Sequence, residues 1–183
     1  MDVNKLTFER LDGKHSELLK SFQCCQKDLK DFLLDDAIPN QKKGISVTYL
    51  FFSKEKNLIG YVSVLTDNLN LNADLKEYFK QKEGIHYKSL PALKIGRLAV
   101  DDRYIRKGIG TEMLYFSIYL AEQIYGRYCG CRFITLDAKR DPKEDTTHFY
   151  KKLGFRVYKQ REKGSVPMYL DLWLRPDIKT KEL

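Results

Sequence analysis

The stretch from Leu98 to Thr111 limits the possible folds more than any other part of this sequence. Residues 98–100 have the apolar character of a strand end, a basic loop with glycines at 108 and 110 follows, and a long helical pattern begins at once. The first-turn N–H groups of a helix lack partners within the helix, and the helix dipole adds positive charge there, so such a loop can bind phosphate. Glycine also lets an anion come close to the main chain. The candidate phosphate-binding residues are Arg106, Lys107, Gly108, Ile109, Gly110 and Thr111.

Elsewhere the chain alternates between strand-like and helix-like apolar patterns. Strands are predicted over residues 6–11, 46–53, 58–66, 93–100, 132–137 and 168–174, and helices over residues 15–22, 27–41, 74–82, 108–125 and 144–153. Pro39 weakens the helical pattern near the end of the second helix. The last strand shows strict alternation, with one apolar face made of Met168, Leu170, Leu172 and Leu174, which predicts a half-buried strand. This order predicts a mixed α/β (α+β) sheet with flanking helices, in a single domain over residues 1–183.

Composition and charge narrow the class of protein. The chain has 183 residues, 43% of them hydrophobic, which is typical of a globular protein, and its net charge is +8. A basic balance favours an anionic partner, although a well-solvated surface explains it equally well. The polar start and the absence of an apolar run of about 20 residues predict a soluble, cytoplasmic protein with no membrane contact. The four cysteines do not match zinc-ligand spacings, so no metal site is predicted: Cys24, Cys25, Cys129 and Cys131.

A second motif lies about forty residues after the basic loop. Residues 149–155 read Phe-Tyr-Lys-Lys-Leu-Gly-Phe, a short amphipathic helix ended by glycine. By itself this is an ordinary core-facing helix, in which Tyr150 is a packing residue. In this order and at this separation, however, the two motifs resemble the GNAT superfamily of N-acetyltransferases, whose pattern is a Leu-Ala-Val strand, a Gly-x-Gly loop, a long helix, a strand and an FY-x-K-x-GF helix.

The resemblance implies an acetyl-CoA-dependent enzyme with the GNAT fold, a mostly antiparallel sheet with one splayed strand pair. It assigns Leu98, Ala99 and Val100 to the strand that holds the pantetheine arm, residues 106–111 to the pyrophosphate loop, and Asp137 to the cofactor-binding residues. It also implies that the Val100 N–H holds the developing oxyanion and that Tyr150 protonates the leaving thiolate. Ile105 departs from the usual Gln or Arg at the first loop position. One side-chain contact to phosphate is therefore expected to be absent, which weakens binding while the main-chain contacts remain.

A narrower resemblance concerns the first third of the chain. Residues 22–33 contain a Phe-x-Cys segment followed by Leu-x-x-Phe-Leu, and residues 40–49 form a basic, glycine-containing turn before a strand. These features are similar to the bacterial GNAT toxins that acetylate aminoacyl-tRNA. They imply an aminoacyl-tRNA as acceptor and an antitoxin as partner. The charged segment 72–84 is an insertion relative to that group.

The strand before the loop bears on the acceptor. It carries Lys94 and Arg97, and no Asp or Glu precedes Asp101. A lysine amine, with a pKa of about 10.4, needs a base, whereas an α-amine at about 7.7–8.0 is already partly neutral at physiological pH. The missing carboxylate thus favours an α-amine, although a water chain to a distant carboxylate would also serve a lysine.

Several alternatives remain open from the sequence. The acceptor is an aminoacyl-tRNA or, alternatively, a protein or small-molecule amine, and the chain could also be a GNAT module that binds acyl-CoA or RNA without catalysis. Lys42 and Lys43 are solvated charges or part of a track for tRNA phosphates. His148 is expected to be a surface histidine, since it points to a different helical face from Tyr150. The tyrosines of the long helix suit packing or a homodimer interface.

Overall fold

The computed structural model describes residues 6–141, 144–162 and 164–174. The helical segments of this part are α1 (Ser16–Leu19), α2 (Lys27–Asp31), a π-helical turn (Phe32–Asp36), α3 (Ala37–Lys42), α4 (Ala73–Glu83), α5 (Ile109–Arg127) and α6 (Thr147–Lys152). The strands are β1 (Thr7–Arg10), β2 (Val47–Phe52), β3 (Leu58–Asn70), β4 (Ser89–Val100), β5 (Phe133–Asp141), β6 (Glu144–Asp145), β7 (Arg156–Val157) and β8 (Gly164–Asp171). Short 3-10 turns lie at Gly13–His15 and Asp102–Tyr104.

The strands form one sheet in the order β1-β2-β3-β4-β5-β8-β7, and β6 pairs with β5 outside this path. The pairs β1–β2, β2–β3, β5–β6, β5–β8 and β7–β8 are all antiparallel. The predicted mixed α/β fold, with a mostly antiparallel sheet and flanking helices, is therefore confirmed. The splay of one strand pair stays a prediction.

The chain divides into two compact units, and the first comprises Met1–Leu65 with Ile95–Ser117. Its core packs α1 to α3 against β2, β3 and the end of β4, with Phe22, Leu33 and Tyr61 fully buried. A second aromatic cluster forms where Phe116 of α5 contacts Phe51 of β2 at a ring separation of 5.2 Å.

The second unit comprises Thr66–Lys94 with Ile118–Leu183. Its core surrounds Phe79 of α4 and Phe133 of β5, both almost fully buried. The Arg132 guanidinium lies 5.0 Å from the centre of the Phe79 ring and donates paired hydrogen bonds of 2.8–2.9 Å to Glu83 and to Asp171. This arginine joins α4 to the end of β8.

The structure corrects several element boundaries. β3 continues to Asn70 and β4 begins at Ser89, so both strands are longer than predicted. α6 begins at Thr147 rather than at residue 144. β8 runs over Gly164–Asp171 instead of 168–174, and its residues 168–171 are buried on both faces, so the half-buried prediction for this strand is wrong.

The helical pattern survives Pro39, although not as an uninterrupted α-helix. The Ala37 N–H bonds to the Phe32 carbonyl, a span of five residues that defines the π-helical turn. A proline ring clashes with the carbonyl four residues earlier, here that of Asp35. The wider turn relieves that clash and lets the chain continue as α3 to Lys42.

The described ranges contain neither a membrane-spanning helix nor a cluster of metal ligands. No helix there is long and apolar enough to cross a bilayer. No three or more His, Cys, Asp or Glu side chains among these residues are grouped so that they could hold a metal ion.

Candidate functional site

The end of β4 is held tightly inside the first unit. Asp101 donates its backbone N–H to the Ile59 carbonyl of β3 at 2.9 Å, and Ala99 is buried while Leu98 and Val100 are half-buried. A Cβ at Gly60 would lie 2.9 Å from the Ala99 carbonyl oxygen and 2.8 Å from the Met113 sulfur. No side chain fits there without movement, so glycine lets β3, β4 and α5 approach closely.

The loop between β4 and α5 has the geometry of an anion cradle. Arg106 and Gly108 have left-handed backbone, with φ of +58° and +81°, and both are exposed. The Gly108 carbonyl accepts the Thr111 and Glu112 N–H groups at 3.0 and 3.2 Å, which starts α5. The Ile109 and Gly110 amides precede these bonds and have no carbonyl within the helix to bond, so they remain donors for a ligand. Ile109 anchors this turn because its side chain is only 1% exposed.

A buried carboxylate fixes the start of the loop. Asp101 is 0% exposed and accepts hydrogen bonds from the Gln23 amide at 2.8 Å, the Arg103 amide at 3.0 Å and the Arg103 guanidinium at 2.8 Å through both oxygens. Burial acts to raise the pKa of this carboxyl, but the donated hydrogen bonds outweigh it and hold the pKa below its usual value. Arg103 also donates to the Ser21 carbonyl at 3.1 Å, so segment 21–23 is bound to the loop.

The three cations of the loop have different surroundings. Arg103 is paired with Asp101, and its guanidinium carbon lies 5.8 Å from the Tyr104 ring centre. The Lys107 ammonium lies 5.1 Å from the same ring and donates to the Arg103 carbonyl at 3.0 Å. Arg106 has no ion pair or hydrogen bond among the described residues. It is the cation of this loop most available to a ligand.

In the second unit, Tyr150 lies on α6, where its ring is half-buried and contacts Phe149 and Phe155 at centroid separations of 5.0 and 5.7 Å. Gly154 has a φ of +88°, and the Phe155 N–H bonds to the Tyr150 carbonyl at 3.1 Å, so the predicted glycine end of this helix is confirmed. His148 has 76% of its side chain exposed, which confirms it as a surface histidine.

Asp137 projects from β5 and forms an ion pair with Lys94 of β4 at 2.7 Å. Both side chains are about one-third exposed, at 39% and 33%. Two residues before Asp137 on β5, the buried Thr135 hydroxyl donates to Asp67 of β3 at 2.6 Å. β4 itself carries no carboxylate before the loop, whereas its neighbours β3 and β5 carry Asp67 and Asp137.

The residues predicted from the sequence therefore form two groups. Leu98–Thr111 belong to the first unit, and Asp137 and Tyr150 belong to the second. The pairing of Asp101 with Arg103 was not anticipated. The Asp-x-Arg spacing directly after the strand was the available signal, because two residues suffice for a bidentate contact within a turn.

The sequence profile described as the acetyltransferase (GNAT) family matches residues 15–155. A solved structure of AtaT complexed with acetyl-methionyl-tRNAfMet is similar with a TM-score of 0.72 and 22% identity over 89% of this chain and 94% of AtaT. AtaTR bound with AcCoA has a TM-score of 0.69 and 23% identity over 90% and 93%. A mutant of KacT has a TM-score of 0.73 and 20% identity over 89% and 94%. At these identities the likeness concerns the fold.

We expect Asp101→Asn to remove the acid sensitivity of this loop. A lowered carboxyl pKa contributes stability that is complete above the unfolded value of about 3.9 and is lost as the pH falls through the folded value. At pH 7 the variant should lose about 2 kcal/mol or more of the free energy of unfolding, the scale of charged hydrogen bonds. Urea unfolding of both proteins at pH 7 and pH 3 measures the difference, which should shrink at pH 3. An equal difference at both pH values would contradict the lowered pKa.

Proposed function

Because the chain belongs to the GNAT family of acetyltransferases, we propose that it transfers the acetyl group of acetyl-CoA to the α-amine of an aminoacyl-tRNA. The family establishes an N-acetyltransferase that uses acetyl-CoA. The acceptor is the proposed part. The observation that carries it is the absence of a carboxylate on the strand before the phosphate loop, where Lys94 and Arg97 stand instead. The carboxylates of the neighbouring strands are already engaged, Asp137 in an ion pair with Lys94 and Asp67 as the acceptor of the Thr135 hydroxyl. This favours an amine that is partly neutral without a base.

The phosphate loop fits the CoA pyrophosphate. The left-handed backbone at Arg106 and Gly108 turns the chain so that the first-turn amides of α5 face outward from the helix end. Ile109 and Gly110 would supply main-chain donors beside Thr111, whose own N–H bonds the Gly108 carbonyl. Arg106 would supply a cationic side chain next to the position that Ile105 leaves apolar.

The bound acetyl-CoA would supply an activated thioester. In the proposed mechanism the Val100 N–H, at the end of β4, donates a hydrogen bond to the acetyl oxygen and stabilises the negative charge that develops on it. Leu98 and Ala99 would hold the pantetheine arm through their main chain. The neutral α-amine would attack the acetyl carbon, and its surplus proton would pass to water. As the C–S bond breaks, Tyr150 would donate its phenolic proton to the departing sulfur, since a phenol with a pKa of about 10 is protonated at neutral pH. Asp137 is proposed to lie along the pantetheine arm.

Surface charge supports an RNA acceptor. Lys42 and Lys43 are exposed beside Gly44, whose φ of +70° shapes the turn before β2. Together with the net charge of +8, these lysines would contact tRNA phosphates. An antitoxin partner and a homodimer, which the sequence resemblance implies or allows, stay predictions.

Arg106 should matter more than Lys107 for CoA affinity. Arg106→Asn tolerates the left-handed backbone but removes the guanidinium, and we expect the Kd for CoA to rise about tenfold, as for a lost charged hydrogen bond. Lys107→Ala should change the Kd less than about threefold, because that ammonium is engaged with Tyr104 and the Arg103 carbonyl. Calorimetry with CoA measures both, and pantetheine is the control ligand that should not distinguish them. Equal losses in the two variants would contradict this assignment.

Tyr150→Phe should lower turnover by about a hundredfold or more while the Kd for acetyl-CoA stays within a few-fold, the usual scale for losing a positioned general acid. The ring contacts with Phe149 and Phe155 are kept, so thermal stability should hardly change. Single-turnover kinetics with the true acceptor measure the chemical step. Tyr128→Phe, which alters a tyrosine that is 78% exposed, is the matched control. A fully active Tyr150→Phe enzyme would show that the hydroxyl has no catalytic role.

The acceptor itself is tested with isotopically labelled acetyl-CoA. We expect mass spectrometry to find the label on the α-amine of aminoacyl-tRNA, with a KM that rises steeply with salt because counterions are released. Lys42→Glu with Lys43→Glu should raise that KM further, whereas Lys80→Glu, on the exposed side of α4, should not. Label on a protein or a small amine, transferred with no salt dependence, would identify the alternative acceptor instead.

A further inference from the structure

Three planar groups form a stack that runs from the core of the first unit to its surface. Tyr61 of β3 is 0% exposed and stacks on Phe32 at a ring separation of 6.2 Å and an angle of 16°. Phe32 is half-buried, and the guanidinium carbon of Arg97 lies 5.3 Å from its ring centre. Arg97, on β4, is exposed. The stack therefore ends in a flat cationic group at the surface.

Each layer of the stack is held in place. The Tyr61 hydroxyl donates to the Leu29 carbonyl at 2.6 Å, and Phe22 packs edge-on against the Tyr61 ring at 5.6 Å. Arg97 donates to the Gly96 carbonyl at 2.8 Å. Phe32 is also the first residue of the π-helical turn, a feature that is often found at functional sites.

Arg97 differs from Arg103 and Arg132 in its hydrogen-bond partners. Arg103 and Arg132 each donate paired hydrogen bonds to a carboxylate, whereas no carboxylate forms an ion pair with Arg97 within the described ranges. The Arg97 charge is therefore not neutralised by a carboxylate there, and the guanidinium has further N–H donors besides the one that bonds Gly96. An arginine placed on an aromatic ring without a carboxylate is a suitable surface for a planar ligand, since the guanidinium is flat and weakly hydrated.

We propose that the Arg97–Phe32 stack binds the unpaired nucleobase at the aminoacylated 3′ end of the acceptor RNA. This proposal rests on the proposed function. Unpaired bases are recognised by stacking on aromatic rings and on arginine planes. Arg97 lies three residues before Val100 on the same strand, about 10 Å along it. That span suits an aminoacyl ester and its ribose, with the base at Arg97 and the amine directed towards Val100.

The test uses the full-length protein saturated with CoA and a stem–loop RNA with a single-stranded 3′ end. The last nucleotide carries 2-aminopurine, whose fluorescence falls when it stacks. Arg97→Lys keeps the charge and loses the plane, and Arg97→Ala loses both. The matched controls are Arg10→Lys and Arg10→Ala, which alter an exposed arginine of the same unit.

We expect both Arg97 variants to bind the RNA about tenfold more weakly and to lose the fluorescence change, the scale of one lost stacked base. The Arg10 variants should bind like the wild type. An RNA that lacks the last base should bind the wild type about tenfold more weakly, with no further loss in Arg97→Ala, since the two changes remove the same contact.

If Arg97→Lys binds the RNA with wild-type affinity, only the charge matters and the proposal is overturned. Additive losses from the missing base and Arg97→Ala would overturn it as well. The proposed acceptor would survive either result if the Arg97 variants still acetylate aminoacyl-tRNA. A wild-type protein that neither binds this RNA nor acetylates aminoacyl-tRNA would overturn both.

Discussion

The Asp101 carboxylate has no access to water, and the loop after β4 exists in the one conformation that supplies it with donors. A buried charge without partners would cost several kcal/mol, so the Arg103 guanidinium and the Gln23 and Arg103 amides are needed together. Since Arg103 also binds the Ser21 carbonyl, one interaction fixes both segment 21–23 and the entry to the phosphate loop.

A cluster of cations in a sequence does not translate directly into ligand contacts. The loop carries three of them, yet Arg103 stabilises the fold, Lys107 lies against Tyr104, and only Arg106 is open to solvent without a partner among the described residues. The apolar Ile105, which is 50% exposed, stands where a polar side chain was expected from the family pattern. In the proposed cofactor site Arg106, the next residue along the chain, would supply the charged side chain instead.

The order of helices and strands was predictable because apolar periodicity records burial directly. The loop and the glycine end of α6 were also predictable, since the left-handed backbone at Gly108 and Gly154 favours that residue type. The burial of both faces of β8 was not, because Tyr169 and Asp171 look polar in sequence but are packed or paired with Arg132 in the structure. The contact between Arg97 and Phe32 joins residues that are far apart in the sequence, so no local sequence pattern predicts it.

The π-helical turn has a geometric consequence for the helical segment 27–42. Phe32 and Gln41 are nine residues apart, which would place them about 180° apart on a regular α-helix. The extra residue absorbed by the wider turn reduces this to about 80°. Phe32 can therefore stack on Tyr61 while Gln41 hydrogen-bonds the Leu11 carbonyl and the Thr48 amide. Deleting one residue of this turn would therefore rotate one of these two side chains away from the sheet.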